Sequence, residues 1–175
     1  DLSFENIKRI YIKFNKVNGF FDCSHNQLKS LEGCPEIVTG GFFCHFNKLN
    51  DLEYIPKIIE EDFLCNNNKL ITLEGCPKIV RGHFNCGVNK LKTLENCPEI
   101  IKKSFSCNNN QLKSLKNGPK TVNGDYDCQN NYLTTLEGCL EIITGNFDCS
   151  NNDLMSLEGS PKIVEGYCDV NNNNL

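Results

Sequence analysis

The chain has 175 residues, with twelve cysteines, twenty-six asparagines, thirteen glycines, no tryptophan and not one alanine. A sequence that omits the best helix former and is so rich in Asn and Gly excludes a bundle of long helices, and no stretch reaches the roughly 18 apolar residues that a membrane-spanning helix needs. Eighteen basic against twenty-two acidic side chains, with Arg9 and Arg81 the only arginines, give a net charge of −4 and argue against a nucleic-acid binder that works by neutralising phosphates.

In chain order, Leu2, Ile7, Ile10, Val17 and Gly19 fall in register with a repeat whose first full copy begins at Phe20, so residues 1–19 read as a degenerate leading unit. Residues 20–166 hold seven complete repeats, and residues 167–175 begin an eighth. The period is 21 residues and never slips, as Cys23, Cys44, Cys65, Cys86, Cys107, Cys128 and Cys149 show. Two residues before each Cys stands Phe, or Tyr in the case of Tyr126, and three after it stands Asn, from Asn26 to Asn152. Two Leu columns come next, Leu28 to Leu154 and Leu31 to Leu157. All six prolines share one column, where Leu140 is the exception, and a β-branched pair such as Ile37-Val38 closes the unit. A Gly usually stands two residues later, with Glu61 and Lys103 as departures. Such self-similarity means one array of stacked coils without a second domain.

Within a unit, Phe84-Asn85-Cys86 alternates in, out, in, as a half-buried strand does. The apolar positions then fall every three residues, at Leu91, Leu94 and Cys97, which fits tight turns or 3₁₀ geometry. Pro and Gly exclude a regular helix on the return path. The expected fold is a repeat solenoid with parallel strands on a concave face, return segments that are irregular, 3₁₀ or polyproline-like, and little or no α-helix. The unit F-x-C-x-x-N-x-L-x-x-L resembles the leucine-rich-repeat segment L-x-L-x-x-N-x-L, with Phe and Cys in place of two leucines. The short period and return-side proline resemble the bacterial-effector class of these repeats, and the units also resemble repeat proteins of phages and giant amoebal viruses. That resemblance implies a rigid scaffold that binds another macromolecule.

The cysteines are expected to be free, buried thiols acting as small core hydrophobes. Residues of one column in a parallel stack point the same way, so their sulfurs do not converge for a disulfide, and no C-x-x-C spacing suggests zinc. Reduced thiols imply the cytosol or another reducing compartment, host cytosol or virion included; because the chain begins at Asp1, secretion stays open. The Asn column is expected to satisfy turn backbone of its own coil and of the next. No catalytic constellation, phosphate loop or cofactor motif appears, so no enzyme activity and no cofactor is expected.

The informative positions lie three before, one before and one after each repeat Cys, where strands face solvent. Of these twenty-four positions six are Asp and none is Lys or Arg. Phe20, Phe43 and Leu64 make the N-terminal half apolar, where Asp22, His45, Asp62 and His83 also face outward; Asp125, Asp127, Asp148 and Asp169 make the C-terminal half, which also carries Tyr167, acidic. The expected partner is a protein with an apolar anchor flanked by Lys or Arg, without nucleic acid or membrane. The alternative is a structural component of a viral or phage particle. The last coil leaves Val170 and Leu175 uncovered, so the chain is expected to continue there or to meet a partner.

Overall fold

Outward and inward positions alternate at each F-x-C segment, and the backbone there is extended over Phe and its successor. A second extended pair comes from the β-branched residues. In the computed structural model, which describes residues 1–11 and 15–175, these alternate along the chain as sixteen two-residue strands. The β-branched series is β1 (Lys16–Val17), β3 (Ile37–Val38), β5 (Ile58–Ile59), β7 (Ile79–Val80), β9 (Ile100–Ile101), β11 (Thr121–Val122), β13 (Ile142–Ile143) and β15 (Ile163–Val164). The aromatic series is β2 (Phe21–Asp22), β4 (Phe42–Phe43), β6 (Phe63–Leu64), β8 (Phe84–Asn85), β10 (Phe105–Ser106), β12 (Tyr126–Asp127), β14 (Phe147–Asp148) and β16 (Cys168–Asp169).

The aromatic series forms one eight-stranded parallel sheet in strict order from β2 to β16. Its register joins equivalent residues of successive units, Phe63 with Phe84 and Phe84 with Phe105. The chain is thus a parallel-strand β-solenoid of about seven turns with no helix among its described residues. The β-branched pairs build a second ladder on the return path, in three blocks, β1-β3-β5, β7-β9-β11 and β13-β15. The rest of the return side is turns and irregular backbone, as the sequence reading expected, with single turns closed by bonds such as Cys34 N–H to Leu31 C=O, 2.9 Å; the short strands are an addition to that reading. One isolated turn of this kind, interrupted by Pro, does not propagate into a 3₁₀ helix. The gap between β11 and β13 adjoins the coil with Leu140 in the proline column.

One continuous core runs the length of the stack. The first Leu column from Leu28 to Leu154 is fully buried, as are the repeat cysteines from Cys23 to Cys149. Phenylalanine rings stack from coil to coil, with centroids 5.4 Å apart for Phe63–Phe84 and 5.8 Å for Phe84–Phe105, within the favourable range for aromatic pairs. All twelve cysteines are free. Several thiols donate to the next coil's carbonyl, Cys23 to Phe43 at 3.4 Å and Cys128 to Asp148 at 3.3 Å, and burial pushes up the Cys65, Cys107 and Cys128 thiols, and that of Cys139 to about 12.

The Asn column closes the turn after each outer strand. Asn110 Nδ2 donates to the carbonyls of Cys107 (3.0 Å) and Asn108 (3.2 Å) in its own coil and of Cys86 (3.1 Å) in the preceding one, while its Oδ1 accepts the Leu91 N–H at 3.0 Å. Asn26 to Asn173 repeat this pattern. The inter-coil reach is therefore to the preceding coil, not the following one as the sequence suggested.

Candidate interaction face

The face presented to solvent by β2 to β16 carries side chains from three positions per coil, and two of them have backbone duties that shape the third. An Asp or Asn one residue before the repeat Cys accepts the N–H two residues later: Asp22 from Ser24 (2.8 Å), Asn85 from Gly87 (2.9 Å), Asp148 from Ser150 (2.9 Å) and Asp169 from Asn171 (2.9 Å). This turn folds the side chain over its neighbour, so Ser24, Gly87 and Ser150 are buried, contrary to the sequence expectation that they face solvent. Gly41 is buried as well, against the Phe43 ring, which occupies the space a Cβ would need. Three residues before the Cys, side chains form a relay along the stack. Asp62 accepts the His83 N–H at 2.7 Å, Asp125 that of Asn146 at 2.8 Å, and Asn146 that of Tyr167 at 2.8 Å.

The apolar end is a connected set of rings. Phe20, 56% exposed, lies 6.1 Å from half-buried Phe43, which lies 6.4 Å from His45. His45 meets His25 edge-on at 5.3 Å, and His25 is sandwiched between Phe4 (4.1 Å) and Phe46 (4.4 Å). Burial lowers the pKa of His45 against the pull of Asp22, and its Nδ1 has no partner among the described residues. The sequence reading did not include Phe4, His25 and Phe46 in this face. These three stand two residues after the Cys position, a column with positive φ in every coil: 59° at Phe4, 53° at His25, 50° at Phe46, 51° at Val88, and Asn elsewhere. Asn tolerates that left-handed conformation; bulky and β-branched residues are strained in it. The recurring Asn at this position was the available signal.

Leu64 is half-buried on the central strands, where a shallow depression of about 400 Å³ is lined by Leu64, His83, Asn85, Ser106, Asp125 and Asp127 among others. His83 is exposed, and its Nδ1 accepts the Ser104 N–H at 3.4 Å. No family model, curated protein or solved structure was found to match the chain. The geometry alone therefore carries the functional reading.

At the acidic end Asp127 bonds Ser106 (3.0 Å) and Asn108 (2.7 Å), and burial raises its pKa, with Asp148 adding to the effect. Asp148 and Asp169 come on the next two strands, each half-buried, and Tyr167 beside them is 67% exposed. One cation does approach the face: Lys103, in the Gly column, reaches back to Asp62 at 3.9 Å. The apolar residues Phe20, Phe43 and Leu64 thus sit on three consecutive coils, and the carboxylates of Asp127, Asp148 and Asp169 on three consecutive coils further along. Among the described residues no group of three or more His, Cys, Asp or Glu is arranged to hold a metal ion.

Proposed function

We propose that the chain is a non-catalytic interaction scaffold of the leucine-rich-repeat type, which takes a protein partner on this outer strand face. The observation that carries the reading is the apolar set Phe20, Phe43 and Leu64, left at the surface of an otherwise polar sheet. Solubility alone would place polar residues there. The partner supplies an aromatic or aliphatic anchor to this set and Lys or Arg to the aspartates beyond it. Complementary charge of this kind sets orientation and association rate more than affinity.

The test is a titration by fluorescence anisotropy with two synthetic peptides, one pairing a Leu-Phe anchor with a lysine run and the other pairing the same anchor with glutamates. The lysine peptide binds, binding weakens with salt, and Phe43→Ser with Leu64→Ser abolishes it. Equal binding of both peptides, or binding indifferent to salt and to Asp127→Lys, refutes the proposal.

A further inference from the structure

The second ladder turns a row of apolar side chains to solvent. In each β-branched pair the second residue faces the core and the first faces outward, which sets Ile37, Ile58, Ile79, Ile100, Ile142 and Ile163 in one file along the stack. Ile58, Ile79, Ile142 and Ile163 are 45% to 51% exposed, and Ile37 and Ile100 are half-buried. The ladder does not require an apolar residue there, because Lys16 and Thr121 hold the same position and pair in the same register, with Ile37 and Ile100. A polar β-branched residue such as threonine would serve every rung and keep the row wet, so six isoleucines in file mark a surface that something covers.

The flanks of the row say what covers it. The column just before it runs Glu, Lys, Lys, Glu, Lys, Glu, Lys from Glu36 to Lys162. At its two ends Glu36 pairs with Lys57 and Glu141 with Lys162, each at 2.9 Å, and in the middle Lys78 and Lys120 both reach Glu99. A face-to-face two-fold perpendicular to the stack sets every column against itself in reverse order. Centred on the coil of Glu99 and Ile100, it opposes Glu36 to Lys162 and Lys57 to Glu141, so each end pair lies head to tail over an end pair of the other copy. The same reversal sets Ile37 on Ile163, Ile58 on Ile142 and Ile100 on itself. At the centre Glu99 faces Glu99 and Lys78 faces Lys120, a mixed cluster in which each carboxylate has lysines of both copies beside it. On the other flank no two carboxylates meet, since Glu60 faces Thr144 and Glu165 faces Thr39, and like charge recurs only where Lys102 faces itself. At about 4.8 Å per coil the row is about 29 Å long. With its flanking side chains it offers on the order of 600 Å² per copy, near the lower bound for a specific dimer.

We propose that this row is the interface of an antiparallel two-fold dimer, in which the isoleucines of one copy pack on those of a second. It belongs to a different sheet from the outer strand face, and the inference goes beyond the reading of that face without resting on it.

Sedimentation equilibrium of the full chain tests this. At about 100 μM, a concentration suited to an interface of this size, the wild-type chain is a dimer. I58T/I79T/I142T/I163T gives each rung the residue type that Thr121 already supplies, and it is monomeric. E36K/K57E and E141K/K162E each exchange the signs of one end pair and keep its intrachain partner, and each raises the dissociation constant about tenfold or more because like charges then oppose. Mixed in equal amounts, these two charge variants form a heterodimer with wild-type affinity, since every opposed end pair is again of opposite sign. That result stays informative if the isoleucine variant folds poorly. A wild-type chain that stays monomeric, a dimer that survives I58T/I79T/I142T/I163T, or charge variants that associate with themselves as tightly as with each other overturns the proposal. Peptide binding at the outer face is measured separately, so loss of the dimer leaves that reading standing.

Discussion

Tyr126 is the one hydroxyl in the ring column, and its oxygen is buried without a hydrogen-bond partner among the described residues. It is accommodated by a neighbour: in the column otherwise held by Cys, Ile or Ser, the coil before it carries Gly118, and a Cβ built there would stand 3.4 Å from the Tyr126 hydroxyl. Gly118→Cys alone is therefore expected to destabilise by about 1–3 kcal/mol through overpacking. Tyr126→Phe raises stability by about 1 kcal/mol, because it removes an unsatisfied polar group. In the double variant the penalty of the Cys shrinks, and urea denaturation of all four chains gives the coupling directly. The thiols make a second prediction at this scale. Burial raises the pKa of the repeat-column thiols such as Cys65, Cys107 and Cys128, and that of Cys139 to about 12, while an unfolded thiol ionises near 8.5. Raised folded values mean that the stabilisation is complete below about pH 8.5 and is lost progressively as pH climbs toward 12, by up to about 1.4 kcal/mol per pH unit for each fully buried thiol. Melting temperature should fall steeply above pH 9, and below that maleimide should label Cys168, the one exposed thiol, well before the rest.

The strand and its turn act as a unit. Asn110→Leu leaves the buried Leu91 N–H without its acceptor and takes one of two amide donors from each of the Cys86 and Cys107 carbonyls, which keep Asn89 and Asn131, so a loss of about 1–3 kcal/mol is expected by thermal denaturation. Asp148 separates charge from backbone service. Asp148→Ala leaves the buried Ser150 N–H unmet and costs about 1–2 kcal/mol, whereas Asp148→Asn keeps the acceptor, as Asn85 already does for Gly87, and leaves the melt unchanged while weakening the binding of a cationic partner. This element also shows what sequence can deliver. The ring, Cys, Asn and Leu columns were legible because burial imposes one residue type on every coil, and each of them lies where the spacing placed it. The second ladder was not, since two β-branched residues next to a proline are too short a run to exceed a turn signal. The burial of Ser24 and Ser150 was not legible either, because it arises from where the preceding Asp side chain folds and not from the serine itself. The His25 stack escaped because a positive φ leaves no mark on hydrophobic pattern.

Across the whole molecule the outer-strand hydrogen bonds join each coil to its immediate neighbour along the chain, as Phe42 N–H to the Asp62 carbonyl at 2.8 Å and Phe63 N–H to the His83 carbonyl at 2.8 Å. The bonds lie along the long axis of the stack, and equivalent residues are 21 positions apart. Tension applied between the two ends consequently loads a single rung at a time instead of sharing force among many. In a single-molecule pulling experiment the protein should yield as a staircase of evenly sized extensions, each freeing roughly 70 Å of contour, at low and nearly constant force. A spring that gives way one winding after another, and rewinds in the opposite order when slack returns, is what this geometry makes of a peptide chain.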